Sequence, residues 1–306
     1  MARQSDLRFY LGQVARILSI VLALFLFALI LVGSISGFIV YQAVHPQRQP
    51  SAVNLDTMVG HPQTFSFADT TGAQREGWFF PGLNSAPAIV VCHGYGSQRA
   101  DVLTLVTALQ EHGFNVFLFD FAGHGTNPGV TTLGYRETQE LASVVATVEA
   151  RNDLDNRRIG LWGVDLGGYA VLEVAASDHH VAALAVDDAY DDPRNMLRLQ
   201  VRNSGFTAIP YVERASDLIF RLANYSFRTT PPVSTRLAGT SGVTKLFITS
   251  ADRPVFADET NRLFAKAPEP KQLQQDRQSY SDMSDDDRKM YESEMVNFFL
   301  QYLGLS

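Results

Sequence analysis

The sequence predicts an α/β fold, in which a mostly parallel sheet is flanked by helices and follows one transmembrane helix. Two observations lead to this prediction. Apolar runs of strand length alternate with stretches of helical period, which is typical of a parallel sheet covered on both faces. Near the N-terminus, residues 17–44 contain no charged residue, and this stretch of 28 exceeds the roughly 20 residues that a helix needs to cross a bilayer.

The charges around this apolar stretch predict its orientation. Residues 1–16 carry three arginines and one aspartate, whereas only Arg48 follows closely. The positive-inside rule therefore places the N-terminus in the cytoplasm and the folded domain outside it. A cleaved signal peptide is the alternative, because the arginines and the small residues 33–36 resemble one. Apolar residues resume at 38–41, so we predict an uncleaved, single-pass helix at residues 17–44.

A linker and a hairpin are predicted next. Residues 45–62 are polar and contain prolines, which predicts a tether. The folded domain then covers residues 63–306 and opens with a β-hairpin, because an alternating run, a turn signal at 70–72 and a second extended run follow one another. We expect removal of residues 1–44 to release this domain without unfolding it.

The rest of the domain alternates between strands and helices. Predicted parallel strands lie at 88–92, 115–121, 158–162, 182–186 and 245–249. Predicted helices lie between them at 102–112, 135–151 and 169–176, and an amphipathic helix with the acidic residues 285–287 in its first turn closes the chain. Residues 191–242 lack one strong period, and we interpret them as a small cap, with a long packed excursion as the alternative.

Composition excludes several classes of function. The chain is 46% hydrophobic and 19% charged, so it can bury a large core. Its net charge is −7 and its arginines are scattered, so we predict no binding to nucleic acid. Cys92 is the single cysteine, which rules out an intrachain disulfide. We also predict no cofactor and no metal.

Four motifs follow predicted strands in order. They are His93-Gly94-Tyr95-Gly96, Asp120-Phe121-Ala122-Gly123-His124-Gly125, Gly163-Val164-Asp165-Leu166-Gly167-Gly168 and Ser250-Ala251-Asp252-Arg253-Pro254-Val255. In this order and spacing the chain resembles the α/β-hydrolase superfamily over roughly residues 64–303, particularly the bacterial branch of serine aminopeptidases and prolyl-oligopeptidase-like hydrolases. The resemblance implies the α/β-hydrolase fold for this domain.

The same resemblance assigns roles to the motif residues. Asp165 occupies the nucleophile elbow, where esterases and peptidases of the superfamily carry serine. The backbone N–H groups of Tyr95 and Leu166 would form an oxyanion hole. Asp252 matches the acid of the catalytic triad. Without a histidine it either repels the like charge of Asp165, which Arg253 would relieve, or caps a loop.

The third triad member is missing. The superfamily places a histidine in a loop near the C-terminus, but residues 181–306 contain none. The matching stretch places Tyr280 at or near the histidine position, and a phenol with a pKa near 10 is a poor general base at neutral pH. His93 and His124 match positions that the superfamily does not use as its base, so we predict structural roles for both.

Two function hypotheses follow. The first is a membrane-anchored pseudoenzyme with a degraded triad that binds a small molecule or a partner protein. The alternative is an active hydrolase of the ester, peptide, epoxide or haloalkane class, with Asp165 as the nucleophile. That route needs a base, for which His124 or His93 is the candidate.

Two further clusters of ionisable residues are predicted to lie at the surface. The first comprises Asp187, Asp188, Asp191 and Asp192. We interpret these acids as a solvated face rather than a metal site. His179 and His180 are predicted to form an exposed turn between a helix and a strand.

Overall fold

The structure, a computed structural model, describes residues 2–48, 53–55, 58, 60–69, 71–276 and 278–305. Parts of the predicted linker, position 70 of the predicted turn and position 277 lie outside the described residues. The chain forms two compact units. The helical unit consists of Met1–Gln42 and Leu197–Tyr225, and the sheet unit consists of Ala43–Met196 and Ser226–Ser306.

The sheet unit contains one eight-stranded sheet. In chain order its strands are β1 (Gln63–Ala68), β2 (Gln74–Phe80), β3 (Pro87–Cys92), β4 (Asn115–Phe119), β5 (Asp155–Val164), β6 (Val181–Asp187), β7 (Thr244–Ser250) and β8 (Lys271–Asp276). Their order across the sheet is β1-β2-β4-β3-β5-β6-β7-β8. The hairpin β1–β2 is antiparallel and joins β4 antiparallel, whereas all other pairs are parallel. The predicted hairpin and parallel sheet are confirmed.

Five α-helices of the described chain cover the sheet, and three further α-helices do not. In chain order they are α1 (Ala2–Val44), α2 (Leu103–Glu111), α3 (Tyr135–Glu149), α4 (Leu166–Ala175), α5 (Pro193–Asn203), α6 (Val212–Ala223), α7 (Pro254–Lys266) and α8 (Asp285–Leu303). Helix α8 begins as its sequence predicts, because the Ser284 side chain accepts a hydrogen bond from the Asp287 N–H. Acidic residues fill its first turn, where they suit the helix dipole.

The register of the central strands positions the site. Cys92 at the end of β3 lies opposite Gly163 near the end of β5. Val164 of β5 lies opposite Asp187 of β6, which in turn lies opposite Ile248 of β7. Because these strands are parallel, the loops that follow β3, β5, β6 and β7 meet at one edge of the sheet.

The helical unit is built around α1. This helix is long and apolar enough to cross a membrane, and its side chains from Phe9 to Leu31 are exposed. Near its C-terminus the side chains of Ser36, Ile39 and Val40 are buried. In the same unit the Ser36 hydroxyl donates to the Val212 carbonyl at 3.1 Å. This end of α1 is therefore packed against the start of α6.

This grouping differs from the predicted division of the chain. We predicted a separable helix at residues 17–44 and a cap at 191–242 that belongs to the hydrolase domain. The structure instead joins Leu197–Tyr225 with α1 in one unit. Hydropathy could not reveal this, because a buried apolar stripe and a lipid-facing apolar stripe have the same composition.

Candidate functional site

The elbow is a sharp turn between β5 and α4. Asp165 sits between them with φ 40° and ψ −96°, a left-handed conformation that is strained for a residue with a side chain. The flanking glycines make this turn possible. A Cβ atom on Gly163 would lie 2.5 Å from the Gly167 backbone, and one on Gly167 would lie 2.5 Å from the Cys92 carbonyl oxygen. The sequence therefore folds into the turn that the Gly-x-Asp-x-Gly pattern predicts.

The carboxylate of Asp165 turns back onto the two backbone donors predicted for the oxyanion hole. Its Oδ1 accepts from the Tyr95 N–H at 2.7 Å and also from the Leu166 N–H. Its other oxygen, Oδ2, lies so close to Gly94 that a Cβ there would be 2.9 Å away. The side chain of Asp165 thus occupies the place where an oxyanion would be stabilised.

Arg253 is the cation of the site. Its Nη1 lies 3.2 Å from Oδ2 of Asp165. Its Nη2 donates to Ser281 Oγ at 2.8 Å and reaches Asp282 Oδ2 at 3.4 Å. Burial lowers the pKa of Arg253, but the carboxylates of Asp165, Asp188 and Asp282 more than offset this and raise it overall. Arg253 therefore remains charged and links the elbow to the loop after β8.

Burial raises the pKa of Asp165. The ion pair with Arg253 opposes this shift, as do the hydrogen bonds from the N–H groups of Leu166 and Tyr95. All of these partners stabilise the charged form of a side chain that is almost fully buried. With Oδ1 bonded twice and Oδ2 paired, both oxygens of the candidate nucleophile are engaged.

Asp252 faces a different partner. Its two carboxylate oxygens accept from the Ser279 N–H at 3.0 and 3.1 Å. This matches the loop-capping alternative that the sequence left open. The neighbouring residue, Arg253, reaches Asp165 instead, so the elbow carboxylate has a cation within contact distance.

Tyr280 lies in the loop after β8, as the sequence predicts, but its hydroxyl is directed into the core. It donates to Glu292 Oε1 at 3.0 Å and lies 3.3 Å from Thr104 Oγ1. Its ring packs edge-on against Trp162. Burial raises the pKa of this phenol above its ordinary value, which makes Tyr280 an even poorer base.

The two histidines near the site have structural partners. His93 Nε2 accepts from the Phe121 N–H at 3.1 Å, and its Nδ1 contacts the Gly94 carbonyl at 2.8 Å. His124 Nδ1 contacts the Ala122 carbonyl at 3.1 Å. Burial lowers the pKa of both imidazoles, that of His124 to about 3. The hydrogen-bonding partners described for Asp165 include neither ring.

The acids at the end of β6 correct one prediction. Asp187 and Asp188 are fully buried, so the solvated-face interpretation is wrong for them. Asp188 Oδ1 accepts from the Ser250 N–H at 3.0 Å, and Asp187 Oδ1 lies 3.4 Å from Ser250 Oγ. Burial raises the pKa of both, that of Asp188 to about 6. The sequence did carry a signal for the burial of these two acids. An apolar strand leads directly into both, and its buried environment continues one position into the loop.

A cavity of about 430 Å³ opens beside the elbow. It is lined by Gly94, Tyr95, Gly96, Ser97, Asp101, Val102, Val164, Asp165, Arg253, Tyr280, Ser281 and Arg288. Arg288 stands over the Tyr280 ring, 5.4 Å from its centroid. Of the predicted site residues, Tyr95, Asp165 and Tyr280 thus share one cavity, which Leu166 and Asp252 do not line. It is polar, contains two guanidinium groups and has a size suited to a small molecule.

Among the described residues, one group of three side chains is compact enough to hold a metal ion. Potential ligand atoms of Glu149, Asp178 and His180 lie within 4.8 Å of one another. His180 is half exposed in the turn before β6, as the sequence predicts. Its Nδ1 lies 2.7 Å from Glu149 Oε1, so a direct polar contact between the two side chains accounts for this arrangement.

Comparison with known families supports the fold. Residues 87–207 match the protein family described as the alpha/beta hydrolase fold. The chain is 26% identical to the protein YfhR of Escherichia coli O157:H7 over 254 residues, which cover 79% of this chain and 82% of that one. It is 32% identical to the polyketide transferase grgF of a Penicillium species over 139 residues, 44% of this chain and 47% of that one.

Solved structures agree with this assignment. The esterase Pf2001 of Pyrococcus furiosus superposes with a TM-score of 0.65 at 16% sequence identity, over 86% of this chain and 99% of that one. At this identity the likeness shows the shared fold alone.

Proposed function

Because the chain belongs to the α/β-hydrolase superfamily, we propose that it is a membrane-anchored member whose site binds a small molecule or a partner protein without hydrolysing it. One observation carries this proposal. The elbow carboxylate occupies its own oxyanion hole and is paired with Arg253. A substrate carbonyl oxygen would have to displace a hydrogen-bonded, ion-paired carboxylate to reach the same donors.

The contacts of the candidate bases named from the sequence, all of them described residues, support the same conclusion. Hydrolysis through an ester on Asp165 requires a group that activates water. His93 is buried with both ring nitrogens engaged, His124 is buried with its Nδ1 engaged by the Ala122 carbonyl, and Tyr280 is directed into the core. Arg253 lies against the elbow and is a poor base because it holds its proton firmly.

The alternative function, an active hydrolase of the ester, peptide, epoxide or haloalkane class with Asp165 as the nucleophile, also has one supporting observation. The elbow retains the strained left-handed conformation that holds a nucleophile at the edge of the sheet. A ligand that drew Arg253 away from Asp165 would free one carboxylate oxygen for attack. This alternative therefore predicts that Asp165→Ala abolishes hydrolysis.

The anchoring part of the proposal rests on α1. An apolar helix of this length can cross a bilayer, and its exposed surface from Phe9 to Leu31 suits lipid. The arginine excess before it favours a cytoplasmic N-terminus and an outward-facing sheet unit. Retention of the full chain in membranes after an alkaline carbonate wash tests this part, and a shortened mature chain in the soluble fraction would show a signal peptide instead.

The catalytic part is tested with the full chain in detergent, assayed on nitrophenyl esters, epoxides and haloalkanes beside Asp165→Ala. We expect no rate above that of the variant. A rate that disappears in Asp165→Ala would establish Asp165 as the nucleophile and refute the non-hydrolytic proposal.

A second set of variants tests whether the scaffold can still support chemistry. Asp165→Ser empties the oxyanion hole, and a histidine is then added at either Tyr280 or Ser281. Ser281 is the better position, because its hydroxyl contacts the same guanidinium group as Asp165, whereas the Tyr280 hydroxyl contacts Glu292. Ester hydrolysis in the Asp165→Ser, Ser281→His variant, but not in the wild type, would indicate an intact scaffold that has lost its catalytic groups.

A further inference from the structure

The exposed side of α6 combines leucines with arginines. Leu218 and Leu222 are one turn apart and are 54% and 64% exposed. Arg214 and Arg221 are exposed on the same side of the helix. The opposite side is buried through Val212, Ser216 and Phe220. Helix α6 therefore has two distinct faces, and its outer face is unusually apolar for a surface helix.

Tyrosines stand at both ends of this face. Tyr211 immediately precedes α6 and is 70% exposed, and Tyr225 follows it and is 60% exposed. The whole segment Leu197–Tyr225 carries four arginines and two acidic residues, a charge of +2 in a chain of net charge −7. Helices that lie at the boundary between water and lipid are typically rich in leucine, tyrosine and arginine, as this segment is.

The contact with α1 sets the depth of this helix. Arg16 is the last charged residue before the apolar stretch, and Ser36 follows it by 20 positions. At about 1.5 Å per residue these positions are about 30 Å apart, which equals the thickness of the hydrocarbon core. Ser36 donates to the Val212 carbonyl at 3.1 Å. The start of α6 thus lies where α1 would leave the hydrocarbon.

We propose that the exposed face of α6 binds the outer surface of the bilayer, with Leu218 and Leu222 in the acyl boundary and Arg214 and Arg221 among anionic phospholipid headgroups. This inference rests on the proposed membrane anchoring by α1. It adds a second, interfacial contact to the anchor. Ser36 and Val212 belong to one compact unit. The contact of α6 with lipid therefore holds this unit at the membrane surface rather than on a free tether.

Site-specific labelling of the full chain tests this proposal. The protein is reconstituted into vesicles of phosphatidylcholine and phosphatidylglycerol with an environment-sensitive fluorophore on Leu218→Cys. Cys92 is buried, and the unsubstituted chain reports any label that it takes up. The matched control is Glu213→Cys, which is exposed on the same helix about 140° around its axis. Leu24→Cys in α1 reports the transmembrane helix itself.

We expect nitroxide-bearing lipids to quench the labels at Leu218 and Leu24 and to leave the label at Glu213 largely unquenched. Removing phosphatidylglycerol, or introducing Arg214→Gln with Arg221→Gln, is expected to reduce quenching at Leu218 alone. Quenching at Leu24 with equal, weak quenching at Leu218 and Glu213 would overturn the α6 proposal and leave the anchor intact. No quenching at Leu24 would refute the anchor. A Leu218 label that is shielded in detergent in a concentration-dependent manner would identify a second copy as the occupant and refute lipid binding.

Discussion

Replacing Arg253 with glutamine is the most direct test of the ion pair between Arg253 and Asp165. The substitution removes the cation beside a nearly buried Asp165 while leaving the two backbone hydrogen bonds to that carboxylate in place. An unpaired buried carboxylate destabilises the folded state, because neither water nor a counter-ion compensates its charge. We therefore expect Arg253→Gln to lower the free energy of unfolding at neutral pH.

The magnitude follows from the geometry. At 3.2 Å and an effective dielectric constant of about 20, two unit charges attract by about 5 kcal/mol, which is an upper limit for this pair. Loss of one partner from a buried pair typically costs about 3–5 kcal/mol. The Arg253 side chain is 26% exposed, and the remaining N–H donors still support the carboxylate. We expect a net loss of about 2–3 kcal/mol for Arg253→Gln.

The loss should depend on pH in a defined direction. Burial already raises the pKa of Asp165 above the unfolded value of 3.8, and removal of Arg253 raises it further. A carboxyl group whose pKa is higher in the folded state binds its proton more tightly there, so lowering the pH favours folding. The deficit of Arg253→Gln is therefore expected to be largest at neutral pH and to shrink as the pH falls towards 4.

Urea unfolding in a nonionic detergent measures this effect, with the buried Trp78 and Trp162 of the sheet unit as fluorescent reporters. The matched control is Arg262→Gln on the same helix, α7, since the Arg262 side chain is 63% exposed where it pairs with Glu259. We expect the control to change stability by less than about 0.5 kcal/mol. Adding Asp165→Asn to Arg253→Gln should restore most of the loss. A pH-independent deficit that this second substitution does not rescue would refute the ion-pair reasoning.

Three further predictions address other parts of the molecule. Tyr280→Phe removes the hydroxyl that bonds Glu292, and we expect urea unfolding to show a loss of about 1–2 kcal/mol; an unchanged midpoint would contradict the role assigned to that hydroxyl. Glu140 of α3 is buried and accepts from the Ala122 N–H, and burial raises its pKa from 4.5 to about 8. The wild type should therefore lose stability as the pH rises between these values, and Glu140→Gln should flatten this profile in melting curves at pH 6 and pH 9. Removal of residues 1–44 deletes the buried end of α1 and should yield a less stable or insoluble chain, whereas removal of residues 1–31 keeps that end. Equal solubility and equal unfolding midpoints for the two truncations would instead support the predicted boundary at residue 44.

The non-hydrolytic interpretation has a structural consequence for ligand selection. In a serine hydrolase the oxyanion hole is empty until substrate arrives, whereas here the two donors are already bonded to Asp165. A ligand in the cavity must therefore interact with other groups that line it. Arg288 and Arg253 are the cationic groups there, so a ligand with an acidic group is the class to screen first.

The sequence alone determined the fold and most positions of the site. Period-two and buried apolar runs predicted the hairpin and five parallel strands, because side-chain periodicity is a local property of the chain. They did not predict β8, a mostly polar strand at the edge of the sheet. The glycines around Asp165 predicted the elbow, since the required turn leaves no room for side chains at those positions. The resemblance to the superfamily, rather than local periodicity, placed Tyr280 in a loop near the C-terminus.

The tertiary structure decided what these residues do. That Asp165 Oδ1 accepts from Tyr95, 70 positions away, depends on the pairing of β3 with β5. The burial of Asp188 depends likewise on the pairing of β6 with β7 and on the Ser250 N–H that follows. Hydrogen bonds and ion pairs act over a few ångströms, so they are set by strand register rather than by sequence spacing. A motif therefore identified the candidate nucleophile, but only the folded chain showed that its carboxylate is already bound.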